Sequence, residues 1–303
     1  MERFEQLAAL LASRCPALEL RADEPMSKYT TFRIGGPAAL MALPRTVGEA
    51  KAAVKTAREL GIEPFFLGNG SNLLVADEGY PGFIVKLSWD FDEIREVNRG
   101  LEAGGAVLLS RLSNVLVDRG LTGLEFASGI PGSVGGAVVM NAGAYGGEIS
   151  QVLEEVTFLD EGGEVCTLPV SECGFSYRNS IFSHRKCLIM KARFQLEQRD
   201  GYAIRARMDE LAAQRKGKQP LEYPSAGSMF KRPPGHFAAA LIDQCGLKGF
   251  TVGGAQVSEK HAGFVVNRGG ATCADVLELV DRVRERVFRQ TGVELEMEVK
   301  VLR

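Results

Sequence analysis

Residues 122–147 read TGLEFASGIPGSVGGAVVMNAGAYGG, and this stretch is the most informative part of the chain. Four of its glycines fall close together: Gly129, Gly132, Gly135 and Gly136. Glycine lets an anion approach the main chain closely because it has no Cβ. A concave set of backbone amides is a natural seat for phosphate or pyrophosphate. Ser133 adds a hydroxyl donor and Pro131 stiffens the loop, so the stretch predicts an anion-binding cradle.

A second loop with the same chemistry lies upstream, at Gly68-Asn69-Gly70-Ser71-Asn72. Two cradles in one chain indicate a ligand with more than one anionic group, such as a dinucleotide. No Lys-Ser or Lys-Thr follows the glycines, which excludes a P-loop. Gly68-x-Gly70 lacks the third glycine of a Rossmann fingerprint. Because the chain has 35 glycines, the alternative that both loops are ordinary turns stays open.

Composition and charge narrow the class of protein. A chain of 303 residues is long enough for two or three lobes with substantial cores. Its apolar fraction of 45% and charged fraction of 24% are typical of a soluble globular protein. A net charge of −2 gives no basic field for nucleic acid, and no apolar run reaches the length of a membrane span. We therefore expect a protein that binds neither nucleic acid nor membrane. We also expect it to be cytoplasmic, because the N-terminal helix has no signal-peptide core.

Cysteine and histidine argue against metal chemistry. The six cysteines include no C-x-x-C and no histidine at ligand spacing, so they are interpreted as reduced, mostly buried thiols. The three histidines are scattered, which argues against a zinc enzyme and gives little support to a Ser-His-Asp hydrolase. The sequence therefore predicts no metal site.

Hydrophobic periodicity and turn residues predict an α+β chain rather than repeating βαβ units. Thr46 and Glu49 form a capping box before a helix that ends at Gly61. Further helices are predicted at 106–119, 203–216, 236–245 and 273–290, the last capped by Thr272. Strands are predicted at 62–67, 83–87, 152–159, 164–168, 187–196 and 293–301, with a hairpin turn at 160–163. In the last strand Val293, Leu295, Met297, Val299 and Val301 face one way.

Three segments carry reactive groups that a plain scaffold does not need. Arg178 follows a turn amid apolar neighbours, Ser228 follows Gly227 in a constrained loop, and the C-terminal strand offers a row of carboxylates. Together an Arg, a Ser and a Glu can polarise a substrate carboxylate and deliver a proton. Each has a structural alternative: Arg178 as an ion pair, Ser228 as a turn cap, and the glutamates as a solvated strand face.

Six motifs in order sharpen this interpretation. They are Tyr29–Gly36, Gly68–Leu74, Ile130–Ala137, Tyr177–Ser180, Ala226–Lys231 and Leu295–Val299. The series closely resembles the UDP-N-acetylenolpyruvoylglucosamine reductase (MurB) family, from about residue 28 to the C-terminus. The second and third motifs alone indicate only the wider family of vanillyl-alcohol-oxidase-type FAD proteins.

The resemblance implies a fold and a domain division. The fold is an α+β, vanillyl-alcohol-oxidase/PCMH-type FAD-binding fold with a C-terminal α+β substrate-binding domain. Residues 1–200 form the FAD-binding region, with lobes at about 1–65 and 66–200. Residues 201–303 form the substrate-binding domain, and the last strand is a candidate to return to the N-terminal lobe.

The resemblance also implies a reaction. By this resemblance we expect a UDP-N-acetylmuramate dehydrogenase of peptidoglycan precursor synthesis, with non-covalent FAD and with NADPH as hydride donor. The flavin passes hydride to the enolpyruvyl group of UDP-N-acetylglucosamine enolpyruvate, giving a carbanion or enol beside the carboxylate. Ser228 donates the proton that quenches it, while Arg178 and Glu298 stabilise the enol form. Arg holds an oxyanionic carboxylate through its fork of donors, and the cofactor does the redox step.

The implied binding residues fall into two sets. The cofactor set is Arg33, Gly68, Asn69, Gly70, Ser71, Asn72, Pro131, Gly132, Ser133, Gly135, Gly136 and Asn141. The substrate set is Tyr177, Lys231 and Arg232.

Some positions depart from the family pattern. Arg232 replaces a common Asn after the serine segment, and Lys300 stands where an Arg is frequent. About fifty residues separate Arg178 from Ser228, too few for a substrate-covering tyrosine loop, so the chain resembles the shorter class of the family. Glu298 is preferred to Glu296 as the catalytic carboxylate, although the sequence leaves the choice open.

Two alternatives compete with this reading. Another FAD-dependent oxidoreductase of the same fold, acting on a sugar or alcohol, often needs a covalent flavin anchor, and no histidine lies near the glycine-rich loops. A non-catalytic nucleotide-binding module does not need Arg178, Ser228 and Glu298 in matching contexts.

Overall fold

A computed structural model describes residues 2–98 and 100–303, and the chain divides into two compact units. The first unit comprises Met1–Ala22, Ala39–Asn69 and Gly82–Ala213. The second comprises Asp23–Ala38, Gly70–Pro81 and Gln214–Arg303. Each unit therefore uses several separate segments, whereas the predicted domains are two continuous blocks. None of the helices in the described part of the chain has the length and apolarity needed to cross a membrane.

The N-terminal sheet and two helices build one core of the first unit. The four strands lie in the order Glu19–Pro25, Pro37–Leu43, Tyr80–Val85 and Phe65–Phe66. The helices are Glu2–Arg14 and Val47–Glu59, and they bury Leu7, Leu11, Ala53 and Val54 with Phe83 of the sheet. Thr46 caps the second helix, as predicted, by accepting from the Glu49 N–H at 3.2 Å. The Glu49 carboxylate accepts from the N–H of Arg45, one residue before the cap, at 2.6 Å.

A five-stranded antiparallel sheet builds the second core of this unit. Its strands lie in the order Val165–Pro169, Leu153–Leu159, Leu188–Gln195, Gly100–Gly104 and Ile94–Val97. The helices Leu109–Arg119 and Val134–Val139 contribute buried side chains to the same core. Two small strand pairs complete it: Leu121–Thr122 with Glu197–Gln198, and Gly143–Ala144 with Gly147–Glu148. The predicted hairpin turn is confirmed, with the Gly163 N–H donating to Asp160 O at 3.0 Å.

The second unit contains a four-stranded antiparallel sheet and a long amphipathic helix. The strands lie in the order Ser225–Ser228, Phe264–Asn267, Ala255–Val257 and Thr251–Val252. The helices are Ala238–Gln244 and Cys273–Thr291. The helix Gly201–Lys218 begins in the first unit, and its residues from Gln214 onward belong to the second. Thr272 and Asp275 form a reciprocal capping box, which confirms the predicted start of the long helix.

The predicted strand 293–301 is wrong in its extent. Only Lys300–Leu302 is a strand, and it pairs in parallel with Leu73–Val75. The preceding residues contact a different partner, because Met297 forms an isolated antiparallel bridge with Phe230. The segment changes partners after Glu298, so no continuous ladder forms. The predicted alternation of burial still holds in part, with Leu295 and Val299 buried and Glu294 and Glu296 exposed.

Candidate active site

The two glycine-rich loops meet within the first unit. The Asn69 side-chain N–H donates to Pro131 O at 2.7 Å. A Cβ added to Gly68 would lie 2.7 Å from Ser133 Oγ, closer than real Cβ contacts. The upstream loop therefore needs glycine at position 68 in order to lie against the downstream loop. Gly68 and Asn69 of the upstream loop and the downstream loop therefore form one surface within the first unit.

The backbone N–H groups of this surface divide into engaged and open ones. Val134 and Gly135 donate to Val107 O and Gly105 O at 2.8 and 2.9 Å, and Gly136 donates to Ser133 Oγ at 3.4 Å. A second group of backbone N–H donors is open. These amides, which have no hydrogen-bond acceptor within residues 2–98 and 100–303, are those of Gly68, Asn69, Gly132 and Ser133.

Not every glycine amide of the stretch is open to a ligand. The amides of Gly135 and Gly136 are used inside the protein. A Cβ on Gly135 would lie 3.1 Å from Gly105 O, so this glycine permits close packing of the short helix Val134–Val139. The four open amides are the part of the surface that can receive an anion.

Lys86 is a residue that the sequence analysis missed. Its ammonium donates to Gly68 O at 2.9 Å, directly behind the upstream loop. Burial lowers the pKa of this lysine, because desolvation disfavours the charged form. No motif marks Lys86, since it follows a buried strand with no polar partner nearby in sequence.

The second half of the upstream loop, Gly70 to Asn72, belongs to the second unit. A Cβ on Gly70 would lie 1.9 Å from Tyr29 O, and the Thr31 N–H donates to Gly70 O at 3.2 Å. Arg33 lies in the same Tyr29–Gly36 segment, is exposed, and has a positive φ of 58°. The Asn72 side chain donates to Glu298 O at 3.1 Å. This loop therefore joins predicted cofactor residues to the predicted catalytic carboxylate's backbone.

Arg178 lies at the tip of a tight turn in the first unit. Ser176 and Asn179 exchange backbone hydrogen bonds at 3.0 and 3.1 Å around it, and Arg178 has a positive φ of 54°. Its guanidinium donates to Gly143 O at 3.0 Å and lies 5.2 Å from the centre of the Tyr177 ring. Non-glycine residues with positive φ are concentrated at functional sites. The two predicted residues Tyr177 and Arg178 therefore lie side by side at the tip of one turn.

Asn141 holds this turn rather than pointing away from it. The residue is fully buried, with a φ of 43°. Its Nδ2 donates to Ser176 O at 3.1 Å, and its Oδ1 accepts from the Ser150 N–H at 3.1 Å. Both the nitrogen and the oxygen of the side-chain amide are therefore hydrogen-bonded within the protein. The structure assigns the Asn141 side chain to the support of the Arg178 turn.

Ser228 and Glu298 are neighbours in the second unit. Ser228 ends a strand, is exposed, and follows Gly227, whose φ is 78°. The N–H of Glu298 donates to the O of Met229, the residue after Ser228, at 2.9 Å. The Met229 N–H in turn donates to Gly263 O at 2.8 Å. Ser228 is therefore fixed between two backbone segments, one of which carries Glu298.

Glu296 has a different environment from Glu298. Its carboxylate forms an ion pair with Lys231 at 2.5 Å, and its side chain is 73% exposed. Glu298 is half-buried. The sequence pattern placed both glutamates on one face of a strand, whereas in the structure Glu296 forms an ion pair with a lysine at the surface. Arg232 lies over the exposed ring of Phe237, with its Cζ 4.7 Å from the ring centre.

His261 supports the serine strand from behind. Its Nδ1 accepts from the Gly263 N–H at 3.2 Å, and Gly263 O accepts from Met229. A ring nitrogen that accepts carries no proton, so the hydrogen bond favours neutral imidazole. Burial, followed by the nearby charge of Lys248, lowers the pKa of His261. The sequence analysis used this histidine only to argue against a hydrolase.

Metal-binding groups are absent where the structure can be described. Among residues 2–98 and 100–303, no group of three or more His, Cys, Asp or Glu side chains could hold a metal ion. All six cysteines are free thiols, and Cys173, Cys187 and Cys273 are buried. Burial raises the pKa of each of these three thiols to about 11. The other three cysteines, Cys15, Cys166 and Cys245, are half-buried.

Two family models match the chain. Residues 38–169 match the FAD binding domain, and residues 219–302 match the C-terminal domain of UDP-N-acetylenolpyruvoylglucosamine reductase. The FAD model covers both glycine-rich loops. The C-terminal model covers Ser228 and Glu298.

Full-length relatives match both halves. A UDP-N-acetylenolpyruvoylglucosamine reductase from Listeria innocua is 47% identical over 292 residues, which are 96% of this chain and 98% of the relative. One from Latilactobacillus sakei is 46% identical over 300 residues, 99% of this chain and 98% of the relative. The crystal structure of the reductase from Thermus caldophilus superposes with a TM-score of 0.81 at 39% identity, covering 94% of this chain and 99% of that one.

Proposed function

The chain belongs to the UDP-N-acetylenolpyruvoylglucosamine reductase family, and we propose that it reduces UDP-N-acetylglucosamine enolpyruvate to UDP-N-acetylmuramate with electrons from NADPH. The family is one of FAD-dependent oxidoreductases, and the fold is the α+β FAD-binding fold expected from the motifs. Full-length identity to reductases does not favour the alternative of a sugar or alcohol oxidase. A nucleotide-sugar substrate and NADPH are consistent with a cytoplasmic reaction.

The glycine surface of the first unit fits the pyrophosphate of FAD. Four N–H donors that have no acceptor in the described part of the chain, at Gly68, Asn69, Gly132 and Ser133, suit an anion with several oxygens. Gly70, Ser71, Asn72 and Arg33 extend the proposed set in the second unit. When bound, FAD would supply the redox chemistry, taking a hydride from NADPH and delivering it to the enolpyruvyl double bond.

The chain's own residues would handle charge and the proton. Addition of hydride to the terminal carbon leaves negative charge on the carbon that bears the carboxylate. Arg178, held by Gly143 O and the turn around it, would bind that carboxylate through its planar fork of donors. Ser228 would protonate the carbanion, which is basic enough to accept a proton from a hydroxyl. Glu298 would polarise the enol form from the segment hydrogen-bonded beside Ser228.

Three cationic or aromatic side chains are proposed for the substrate. Tyr177 is 51% exposed beside Arg178 and would cover the reacting group. Lys231 and Arg232 follow the serine strand and would bind anionic oxygens of the nucleotide. The Lys231–Glu296 pair is solvent-exposed and therefore weak, so substrate can compete for the lysine.

The observation that carries the proposal is that one chain has a glycine surface with open amides in its first unit and an exposed serine beside a half-buried glutamate in its second. We expect the purified protein to be yellow and to release free FAD on heat or acid denaturation, because no histidine lies near the loops for a covalent link. NADPH oxidation should depend on the enolpyruvyl sugar nucleotide. A flavin that stays with the denatured polypeptide, or NADPH oxidation by oxygen alone, would contradict the proposal.

A further inference from the structure

Two parallel strands of the first unit bring Lys86 to the upstream glycine-rich loop. The strand Phe65–Phe66 pairs in parallel with Tyr80–Val85. Parallel neighbours run in one direction, so the residues that follow them leave the sheet at the same edge. Gly68 comes shortly after the first strand, and Lys86 comes directly after the second. The Lys86 ammonium therefore reaches the loop and donates to Gly68 O at 2.9 Å.

Lys86 is a partly buried cation without a carboxylate partner. Across the two described ranges, 2–98 and 100–303, no Asp or Glu side chain forms an ion pair with it. Burial lowers the pKa of Lys86, and no neighbouring carboxylate opposes that effect. Removing an ammonium group from water costs free energy unless a counter-charge is nearby. A cation in this position therefore suits an anion that is supplied by a ligand.

The lysine bonds to a peptide whose other end is open. Gly68 C=O and Asn69 N–H belong to the same peptide group, which is trans and planar, so they point in opposite directions. The oxygen accepts from the Lys86 ammonium, and the N–H is one of the four open amides. A hydrogen bond from a cation polarises the group that accepts it. Lys86 thus makes the Asn69 N–H a stronger donor to an anion.

The rest of the loop aligns this N–H with its neighbours. The Asn69 side chain donates to Pro131 O at 2.7 Å, which ties the loop to the residue before the open amides of Gly132 and Ser133. The charge of Lys86 and the open amides therefore belong to one surface of the first unit. Both favour a ligand with negative charge.

We propose that Lys86 is a positioning residue for the cofactor, whose ammonium is the counter-charge of the FAD pyrophosphate and acts on it through the Gly68–Asn69 peptide. This inference rests on the proposed placement of the pyrophosphate on the open amides. Lys86 therefore determines how tightly FAD binds and leaves the chemistry of the flavin ring unchanged.

The test compares Lys86→Met, which removes the charge and keeps an unbranched side chain, with Lys86→Arg, which keeps a cation. The matched control is Lys51→Met, which removes a lysine of the same unit that pairs with Glu164 at 3.0 Å. Equilibrium dialysis of the FAD-loaded proteins, measured by flavin fluorescence, gives the dissociation constant of FAD. We expect Lys86→Met to bind FAD about tenfold or more weakly, because the charge behind the peptide is lost. Lys86→Arg should stay within about threefold of the wild type, since a guanidinium also donates a charge-assisted hydrogen bond. The control should match the wild type.

Urea unfolding of the FAD-free chain separates this role from a structural one. A partly buried ammonium that lacks a counter-charge does not stabilise the fold by itself. We expect FAD-free Lys86→Met to unfold at the urea concentration of the wild type or at a higher one. A lower midpoint would overturn the proposal, because the lysine would then support the loop without any ligand. Unchanged FAD affinity in Lys86→Met overturns it as well, as does a Lys86→Arg variant that binds FAD as weakly as Lys86→Met.

The FAD-saturated variant shows where the lysine acts. Lys86→Met with saturating FAD should keep the visible spectrum of the bound flavin, because Lys86 acts on the pyrophosphate and not on the flavin ring. A changed spectrum contradicts the proposal. A wild-type protein that binds FAD without oxidising NADPH in the presence of the enolpyruvyl sugar nucleotide refutes the proposed reaction, whereas the FAD affinities of the variants still decide the role of Lys86.

Discussion

At the scale of single residues, the backbone around Met229 explains how a serine and a glutamate become one site. Met229 accepts from Glu298 and donates to Gly263, so Ser228 cannot move without breaking main-chain hydrogen bonds. His261, which holds Gly263, stabilises the same arrangement only while its Nδ1 is unprotonated. Its lowered pKa, caused first by burial, keeps it neutral at physiological pH.

Replacement of Ser228 by alanine should separate the two half-reactions. We expect Ser228→Ala to retain FAD and to be reduced by NADPH at the wild-type rate, because that step needs no proton from this residue. Reoxidation by the enolpyruvyl substrate should slow by about 10²-fold or more, since a positioned acid typically contributes that much. Stopped-flow absorbance of the flavin measures both steps, and Ser228→Cys should recover part of the second. Equal damage to both steps would mean a structural role for the serine.

The residue scale also shows where sequence reasoning ends. The motifs named Ser228, Arg178 and Glu298, and their catalytic roles stay predictions. The pattern could not separate Glu296 from Glu298, because the difference lies in partners distant in sequence: Lys231 for one and the Met229 backbone for the other. Lys86 was missed for the same reason, as its partner is the carbonyl of Gly68.

At the scale of elements, the glycine-rich loops are in such close contact that a side chain at position 68 would force a neighbouring atom to shift. Gly68 faces Ser133 Oγ, and that oxygen already caps the helix Val134–Val139 by accepting from Gly136. Any side chain at position 68 must displace the cap or shift the loop. Either change moves the open amides that are proposed to receive the FAD pyrophosphate.

The variant Gly68→Ala should therefore lose cofactor affinity. We expect FAD to bind the apoprotein about tenfold more weakly, as measured by quenching of flavin fluorescence. The matched control is Gly48→Ala, whose added Cβ would lie 3.9 Å from its nearest neighbour in the helix Val47–Glu59. This control should keep FAD affinity and gain up to about 1 kcal/mol of stability, since alanine is the better helix former.

A double variant tests the mechanism of that loss. If the clash with Ser133 Oγ is the cause, Gly68→Ala/Ser133→Ala should bind FAD better than the sum of the single effects predicts. Strict additivity, or undiminished affinity in Gly68→Ala alone, would show that the contact does not shape the cofactor surface.

The sequence predicted the elements whose ends depend on neighbouring residues, but it did not predict the extent of the strand whose partners lie far away in the sequence. Thr46, Thr272 and Gly120 mark helix ends through bonds within a few residues, so the sequence contains the information. The last strand was predicted too long, because its length depends on when the chain leaves Phe230 for Leu73–Val75. Those partners lie about 65 and 230 residues away in sequence, beyond the reach of periodicity.

At the scale of the whole molecule, the chain builds two units from interleaved segments. The family resemblance implied a division at residue 200, and nothing local in the sequence shows that Asp23–Ala38 and Gly70–Pro81 join Gln214–Arg303 in one unit. Each unit holds part of the proposed cofactor set, with Gly132 and Ser133 in the first and Ser71 and Asn72 in the second. The first unit also holds the buried thiols of Cys173 and Cys187, and the second holds the buried thiol of Cys273, so labelling of these thiols reports on the integrity of each unit.

Thiol labelling should follow the opening of the two units and its control by FAD. Cys173 and Cys187 are buried in the first unit and Cys273 in the second, and burial raises the pKa of each to about 11. At pH 8 only about one in a thousand of such thiols is ionised, and the rest are shielded, so we expect labelling of these three only after unfolding.

FAD at 100 times its dissociation constant stabilises a binding unit by about 2.7 kcal/mol. Saturating FAD should therefore move labelling of all three to higher urea, as mass spectrometry of alkylated peptides can measure. Protection of Cys173 and Cys187 with no shift at Cys273 would remove Ser71 and Asn72 from the cofactor site. A shift at all three means that FAD stabilises both units against unfolding.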